Sequence, residues 1–193
     1  MSAELPVEFY ARPVVEVARD LVGCSLTVDG VGGIITETEA YHASEPACHA
    51  YVGLTTRTAP LFGPPGHAYV YLSYGIHSLL NAVAEPEGEA AAVLIRAIEP
   101  RWGIERMKRR RDMDDERMLC SGPGKLTQAL GVGLELNTAE LTAWPFELRA
   151  RADDYDREVV GVAPRIGITV AMELEWRFCE VGSRYLSRPV PRR

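Results

Sequence analysis

A single α+β domain built on an antiparallel sheet is the fold this sequence predicts. Length and composition come first: 193 residues, 47% apolar and 25% charged, suit one packed core, at most with an elaborated edge. The strongest local signal is a hairpin, with residues 25–28 and 33–41 joined across Asp29-Gly30. Further strand-like runs at 67–75, 77–84 and 90–98 follow across short turns, and helix-period segments flank them. A β-meander bordered by helices is the simplest arrangement.

In chain order, residues 7–23 carry Phe9, Val14, Val17, Ala18 and Leu21 at helical spacing. Gly23 supplies a stop, and Pro13 allows the helix to begin there instead. Residues 42–66 have little periodicity and several prolines, which predicts a long functional loop with a helical turn near 45–51. The stretch HAYVYLSYG (67–75) alternates as a strand, with Tyr69 and Tyr71 on one face, and turns at Tyr74-Gly75. Residues 100–111 read as an exposed basic helix. Residues 119–130 read as a loop entering a helix, with Ser121 as a candidate N-cap. Amides around Gly122 and Gly124 are placed to hold an anion beside Lys125. Strands are expected at 144–151, 163–170 and 176–181, and the Pro/Arg-rich tail from Ser187 is expected to fray.

Composition narrows the function classes. No run approaches a membrane helix and residues 1–6 lack a secretory h-region, so a cytosolic protein is expected. Cys24, Cys48, Cys120 and Cys179 show no paired metal-ligand spacing, so reduced, partly buried thiols and no metal or other cofactor are expected. The net charge of −6 argues mildly against a polyanion partner, yet residues 101–111 (RWGIERMKRRR) concentrate positive charge.

The stretch IITETEAYHASEPACH (34–49) carries the chemistry. Strand alternation sends Glu37, Glu39 and Tyr41 to one face, a poor core face but a good pocket wall. A carboxylate held ionised by an arginine can act as a general base. Arg96, set inside the apolar run AAAVLIRAI, is the candidate partner, because such an arginine is paired or lines a pocket. Tyr41, Tyr71 and His49 together can sandwich a flat heterocycle. Tyr74, in a Tyr-Gly turn, points outward. Each of these residues alone has a plainer reading as packing, an ion pair or an exposed turn residue.

ETEAY (37–41), His49, the G-x-x-YVY-x-x-YG stretch (66–75), Asn81, VLIRAIEP (93–100) and CSGP-x-KL (120–126) together resemble the alkyladenine, or 3-methyladenine, DNA glycosylases. Order and spacing agree from about residue 8 to about residue 187. The resemblance implies a curved antiparallel sheet with surrounding helices, and excision of N3- and N7-alkylated purines from double-stranded DNA. It implies Glu39 as general base and Arg96 as a holder of the attacking water, with a main-chain carbonyl near Ile166 completing that water's contacts. Tyr41, His49 and Tyr71 become the base pocket, Tyr74 the wedge, and Asn81 a guard against the guanine amine. Lys125 falls on the DNA side. His42 and His77 depart from the vertebrate pattern. A monomer, located with the nucleoid if bacterial, is expected. With no lysine in the constellation, the expected enzyme is monofunctional. Glu37 is expected to be structural. A non-catalytic binder of damaged or abasic DNA, and a hydrolase of free nucleosides, stay open on sequence alone.

Overall fold

The computed structural model describes residues 2–152, 155–156 and 159–190. Its centre is a hairpin made by β1 (Ser25–Val28) and β2 (Val31–His42). Asp29 and Gly30 both adopt left-handed backbone, at φ of 50° and 70°, the turn that matches the twist of the flanking strands. Strand β2 is twelve residues long and is hydrogen-bonded along both edges. One edge pairs almost end to end with β5 (Ala91–Trp102). The other is shared, first by β1 and then by β8 (Arg177–Glu180). Backbone crowding around β2 excludes side chains at two positions. A Cβ on Gly33 would lie 1.8 Å from the carbonyl oxygen of Glu99, and one on Gly32 would lie 1.9 Å from that of Leu26.

The expected meander is present. Strands β3 (Ala68–Ser73), β4 (His77–Val83) and β5 run antiparallel in sequence order. With β6 (Phe146–Arg149) and β7 (Val160–Ala163) they complete a curled eight-stranded sheet in the order β3-β4-β5-β2-β1-β6, with β7 on β8 and β8 on β2. Five α-helices among the described residues surround it. The first region is split into α1 (Val7–Tyr10) and α2 (Val14–Leu21), with Pro13 immediately before α2. Val14, Val17, Ala18 and Leu21 are the buried stripe of α2. Thr38 Oγ donates to the Ala18 carbonyl at 2.7 Å, tying the helix to the back of β2.

Helices α3 (Ile104–Arg111), α4 (Glu116–Leu119) and α5 (Pro123–Leu130) follow β5. The basic residues of α3 are largely engaged within the protein. Arg106 pairs with Asp29, Lys108 with Glu105 and Glu116, and Arg110 and Arg111 donate to the Ala129 carbonyl and Gln128. Cations at the C-terminal turn of α5 complement its dipole. The segment therefore latches α5 more than it offers a free cationic face.

Three expectations are corrected. Ser121 does not cap α5. Gly122 takes that position with no side-chain cap, and Ser121 bridges to Ala97 instead. Residues 163–170 are not a strand. Strand β7 ends at Ala163 because Pro164 has no amide to donate, Arg165 turns inward to Glu45, and Gly167 adopts φ 80°. The tail is anchored where fraying was expected, since Ser187 and Arg188 bond to the sheet. Its last residues, 191–193, lie outside the described residues.

Candidate active site

Residues in register across an antiparallel ladder share a face. Tyr69 registers with Asn81, Asn81 with Leu94 and Leu94 with Glu39. Tyr71 registers with Leu79, Tyr41 with Ala92 and Glu39 with Arg177. The strand alternation read from the sequence thus brings Glu39, Tyr41, Tyr71 and Asn81 onto one face. The alternate residues, among them Ala40, Val70, Leu80, Val93 and Ile95, belong to the main core behind it.

The two carboxylates of β2 are fully buried, at 0% exposure, and Arg96 joins them. Arg96 Nε donates to Glu37 Oε1 at 3.0 Å, and Nη1 donates to Glu39 Oε2 at 3.1 Å. The β2–β5 ladder is irregular here, with Glu37 registered to Ala97 rather than to Arg96. Beyond Arg96 the surroundings of the two acids differ. Glu37 also accepts from Arg177 Nε at 2.7 Å, and from the amide and hydroxyl of Ser187 at 2.6 and 2.7 Å. Three of these donors fall on Oε1 and one, the Ser187 amide, on Oε2, and all of them are structural partners. Glu39 accepts from Tyr41 Oη at 2.8 Å and from the Ile166 amide at 2.7 Å, besides Arg96.

An ionised carboxylate offers about four acceptor positions. Two on Glu39 Oε2 are taken, by Tyr41 and Arg96, and one on Oε1 is taken by Ile166. One acceptor position remains, on Oε1. Burial pushes the Glu39 carboxyl above its ordinary value, and Glu37 adds to that. Arg96, the Ile166 amide and the Tyr41 hydroxyl oppose it. Arginine pairing therefore offsets desolvation without overcoming it.

A cavity of about 400 Å³ opens on this face, within the size range of small-ligand sites. Tyr41, His49, Tyr71, Asn81, Arg96 and Ile166 line it, with Tyr74 at its margin. Glu39 lies immediately behind Tyr41, Arg96 and Ile166. His49 meets Tyr71 edge-on, with centroids 4.6 Å apart, and Tyr69 stacks on Tyr71 at 5.3 Å. Burial pushes the Tyr71 hydroxyl up to about 12, so it stays neutral. Asn81 Nδ2 donates to the Tyr69 carbonyl at 3.0 Å, which fixes the orientation of its amide.

Tyr74 is 92% exposed at the tip of the β3–β4 hairpin. With Gly75 it forms the turn, both residues left-handed at φ 51° and 74°. His77 packs over Gly124, so the tip end of the hairpin meets the start of α5, where Pro123 reaches the cavity. Lys125 lies on that first turn and makes no ion pair among the described residues. His42 lies near Glu85, at 3.5 Å, and bonds Ser44.

Several functional partners escaped sequence reasoning. Arg177 and Ser187 reach Glu37 from far along the chain. Arg165 is clamped by Glu45 at 2.6 and 3.0 Å, and its guanidinium lies 4.7 Å from the Tyr41 ring centre. This clamp sits one residue before the Ile166 amide that holds Glu39. Tyr69 was legible by its alternation with Tyr71, and Arg177 by its place in the apolar run WRFC, as with Arg96. Arg57, which bonds His49, had no local signal. Among the described residues, no group of three or more histidines, cysteines or acids is placed to hold a metal ion. The four cysteines are buried and unpaired. No helix among the described residues is long and apolar enough to cross a membrane.

Residues 8–184 match the methylpurine-DNA glycosylase family. The chain is 55% identical over 184 residues to a protein of Bradyrhizobium diazoefficiens, covering 95% of this chain and 90% of that one. It is 50% identical over 182 residues to a protein of Rhizobium meliloti, covering 94% and 95%. It is 48% identical over 189 residues to a protein of Nitrosospira multiformis, covering 98% and 96%. All three are named "Putative 3-methyladenine DNA glycosylase". The chain belongs to the methylpurine-DNA glycosylase family and is a DNA glycosylase of base excision repair, hydrolysing N-glycosyl bonds.

Proposed function

We propose that this enzyme flips alkylated purines out of duplex DNA and hydrolyses their N-glycosidic bond with water activated by Glu39. The substrates are 3-methyladenine and 7-methylguanine, with hypoxanthine and ethenoadenine as further candidates. The observation that carries the reading is Glu39 itself. It is a buried carboxylate held by three donors, with one acceptor position left on Oε1, directly behind an aromatic cavity.

The chemistry follows from the substrate. A stacked base is inaccessible, and extruding it costs a few kcal/mol, which a wedge and a stacking pocket offset. Tyr74 is the wedge, and Tyr41, Tyr71 and His49 receive the base. Each aromatic contact contributes roughly 1–3 kcal/mol, and a cationic ring gains further attraction to tyrosine faces. Alkylation at N3 or N7 makes the purine cationic and a good leaving group, so one carboxylate suffices where O-glycosidases use two. Water donates a proton to Glu39 Oε1 as its oxygen attacks C1′, and the base departs with the glycosidic electron pair. Arg96 fixes the carboxylate and holds the water, and a main-chain carbonyl near Ile166 completes the water's contacts. Asn81 clashes with the exocyclic amine of unmodified guanine; 7-methylguanine carries the same amine and is released in spite of it because its cationic ring is the better leaving group, and Lys125 faces a phosphate. Among the described residues no lysine lines the cavity, which supports a monofunctional enzyme without strand cleavage. It acts as a monomer on the DNA of the nucleoid.

The test is incubation of the purified protein with methylated duplex DNA and with free methylated nucleosides, followed by chromatography of released bases. Release from duplex DNA alone, leaving intact abasic strands, is expected. Tight binding with no released base would contradict the reading.

A further inference from the structure

Arg57 and His49 belong to the loop between β2 and β3, and both line the cavity. Arg57 Nη2 lies 3.2 Å from His49 Nε2. A guanidinium has donors and no acceptor, so Nε2 must present a lone pair. The ring proton is then on Nδ1, which lies 3.0 Å from the Tyr69 hydroxyl and donates to it. A doubly protonated ring would set an N–H against the guanidinium and break this chain of contacts. The two partners therefore select one tautomer of the neutral imidazole.

We propose, on the excision reading above, that Arg57 is a positioning residue: it holds His49 as the neutral Nδ1–H tautomer and keeps that ring uncharged when a cationic purine enters. The titratable groups around His49 are Tyr69 and Tyr71 from β3, with Cys48 and Arg57 from its own loop. None is an acid that would stabilise an imidazolium. Burial holds His49 below its ordinary value, and the Arg57 charge adds to this. Arg57 is exposed and His49 half-buried. Water screens the arginine's charge, whereas a charge on His49 would face the ligand with less screening. The cation is thus kept on Arg57, whose guanidinium lies 5.7 Å from the Tyr71 ring centre, and off the His49 imidazole.

Nitrogen NMR of the four histidines, with Arg57→Ala and Arg57→Lys beside the natural protein, tests this directly. The Nδ1–H signature is expected for His49 in the natural protein. Arg57→Ala should raise its titration midpoint by about one pH unit, a tenfold gain in proton affinity. Arg57→Lys, which keeps a cationic donor, should restore the tautomer. In excision, Arg57→Ala should lose 7-methylguanine release severalfold between about pH 8 and about pH 6, the window of histidine titration. Hypoxanthine, an uncharged base, should show no such loss. An Nε2–H tautomer in the natural protein, or a His49 titration unmoved by Arg57→Ala, would overturn the proposal. Failure of the natural protein to release any base would overturn the excision reading, while the NMR comparison would still decide the tautomer.

Discussion

The two sides of the cavity are built on opposite principles. The inner wall, on β2 and β5, holds Glu37, Glu39 and Arg96 at 0%, 0% and 6% exposure. Each is held by at least two hydrogen-bonding partners. The rim is made by the β3–β4 hairpin tip and the loop carrying Arg57. There Leu72, Tyr74 and Ile76 are 42%, 92% and 73% exposed. The wall is over-determined, so its groups are fixed in place. The rim is solvent-exposed, although the loop carrying Arg57 is tied by the Thr55–Thr58 hydrogen bonds on either side of it. On the proposed function, chemistry belongs to the buried side and recognition to the exposed one, and variants should separate accordingly.

Removing the wall's shared cation should have the largest effect. Arg96→Met leaves Glu39 without a cationic partner and Glu37 with Arg177 alone. Breaking a buried pair of this kind costs about 3–5 kcal/mol, readable by urea denaturation, and excision should be lost with it. Unchanged stability would mean that the wall is not a charge-compensated unit.

The pH dependence comes next. Glu39 must be ionised to accept a proton, and burial raises its carboxyl. The acid limb of the single-turnover rate should therefore lie above the ordinary glutamate value of about 4.3, falling about tenfold per pH unit below it. The sign for folding is the reverse of the usual carboxylate case. A raised native value means that the folded state binds the proton more tightly. Its contribution to stability is largest below the ordinary value and is lost as pH rises through the native one. An acid limb at or below about 4.3 would break the assignment.

The rim should answer differently. Tyr74→Ala should weaken binding to abasic-site DNA about tenfold. It should change folding stability by no more than about 0.5 kcal/mol, as for an exposed residue. A large loss of stability would erase the contrast between wall and rim. The smallest effect belongs to the wall's outer support: Ser187→Ala should cost about 1 kcal/mol in a thermal melt and leave the excision rate unchanged.

The legible features share a physical cause. Alternation in ETEAY and YVY fixes which side chains share a face, and an arginine inside AAAVLIRAI signals a buried partner. Both are local patterns, so the hairpin, the meander and the pairing of Glu39 with Arg96 could be read. Long-range satisfaction of polar groups leaves no such trace. Ser187 lies 150 residues from Glu37, and Arg177 lies 140, so the anchored tail read as a frayed one. The basic run at 101–111 suggested a polymer-binding face, yet its charges latch α5. The apolar look of residues 163–170 suggested a strand. What decides that segment is Pro164 together with the Arg165–Glu45 clamp. The resemblance supplied the roles of Asn81, Ile166 and Tyr74, which spacing alone does not carry.

On the proposed function, two neighbouring buried glutamates divide the work, Glu39 taking the proton and Glu37 holding the fold. Single-turnover release of 7-methylguanine by Glu39→Gln and Glu37→Gln, each beside its melting curve and DNA affinity, tests it most directly. Glu39→Gln should lose about 10²–10⁴-fold in rate while binding damaged DNA normally. Glu37→Gln should keep most of its rate and melt at a lower temperature. Turnover retained in Glu39→Gln, or lost only in Glu37→Gln, would contradict the account.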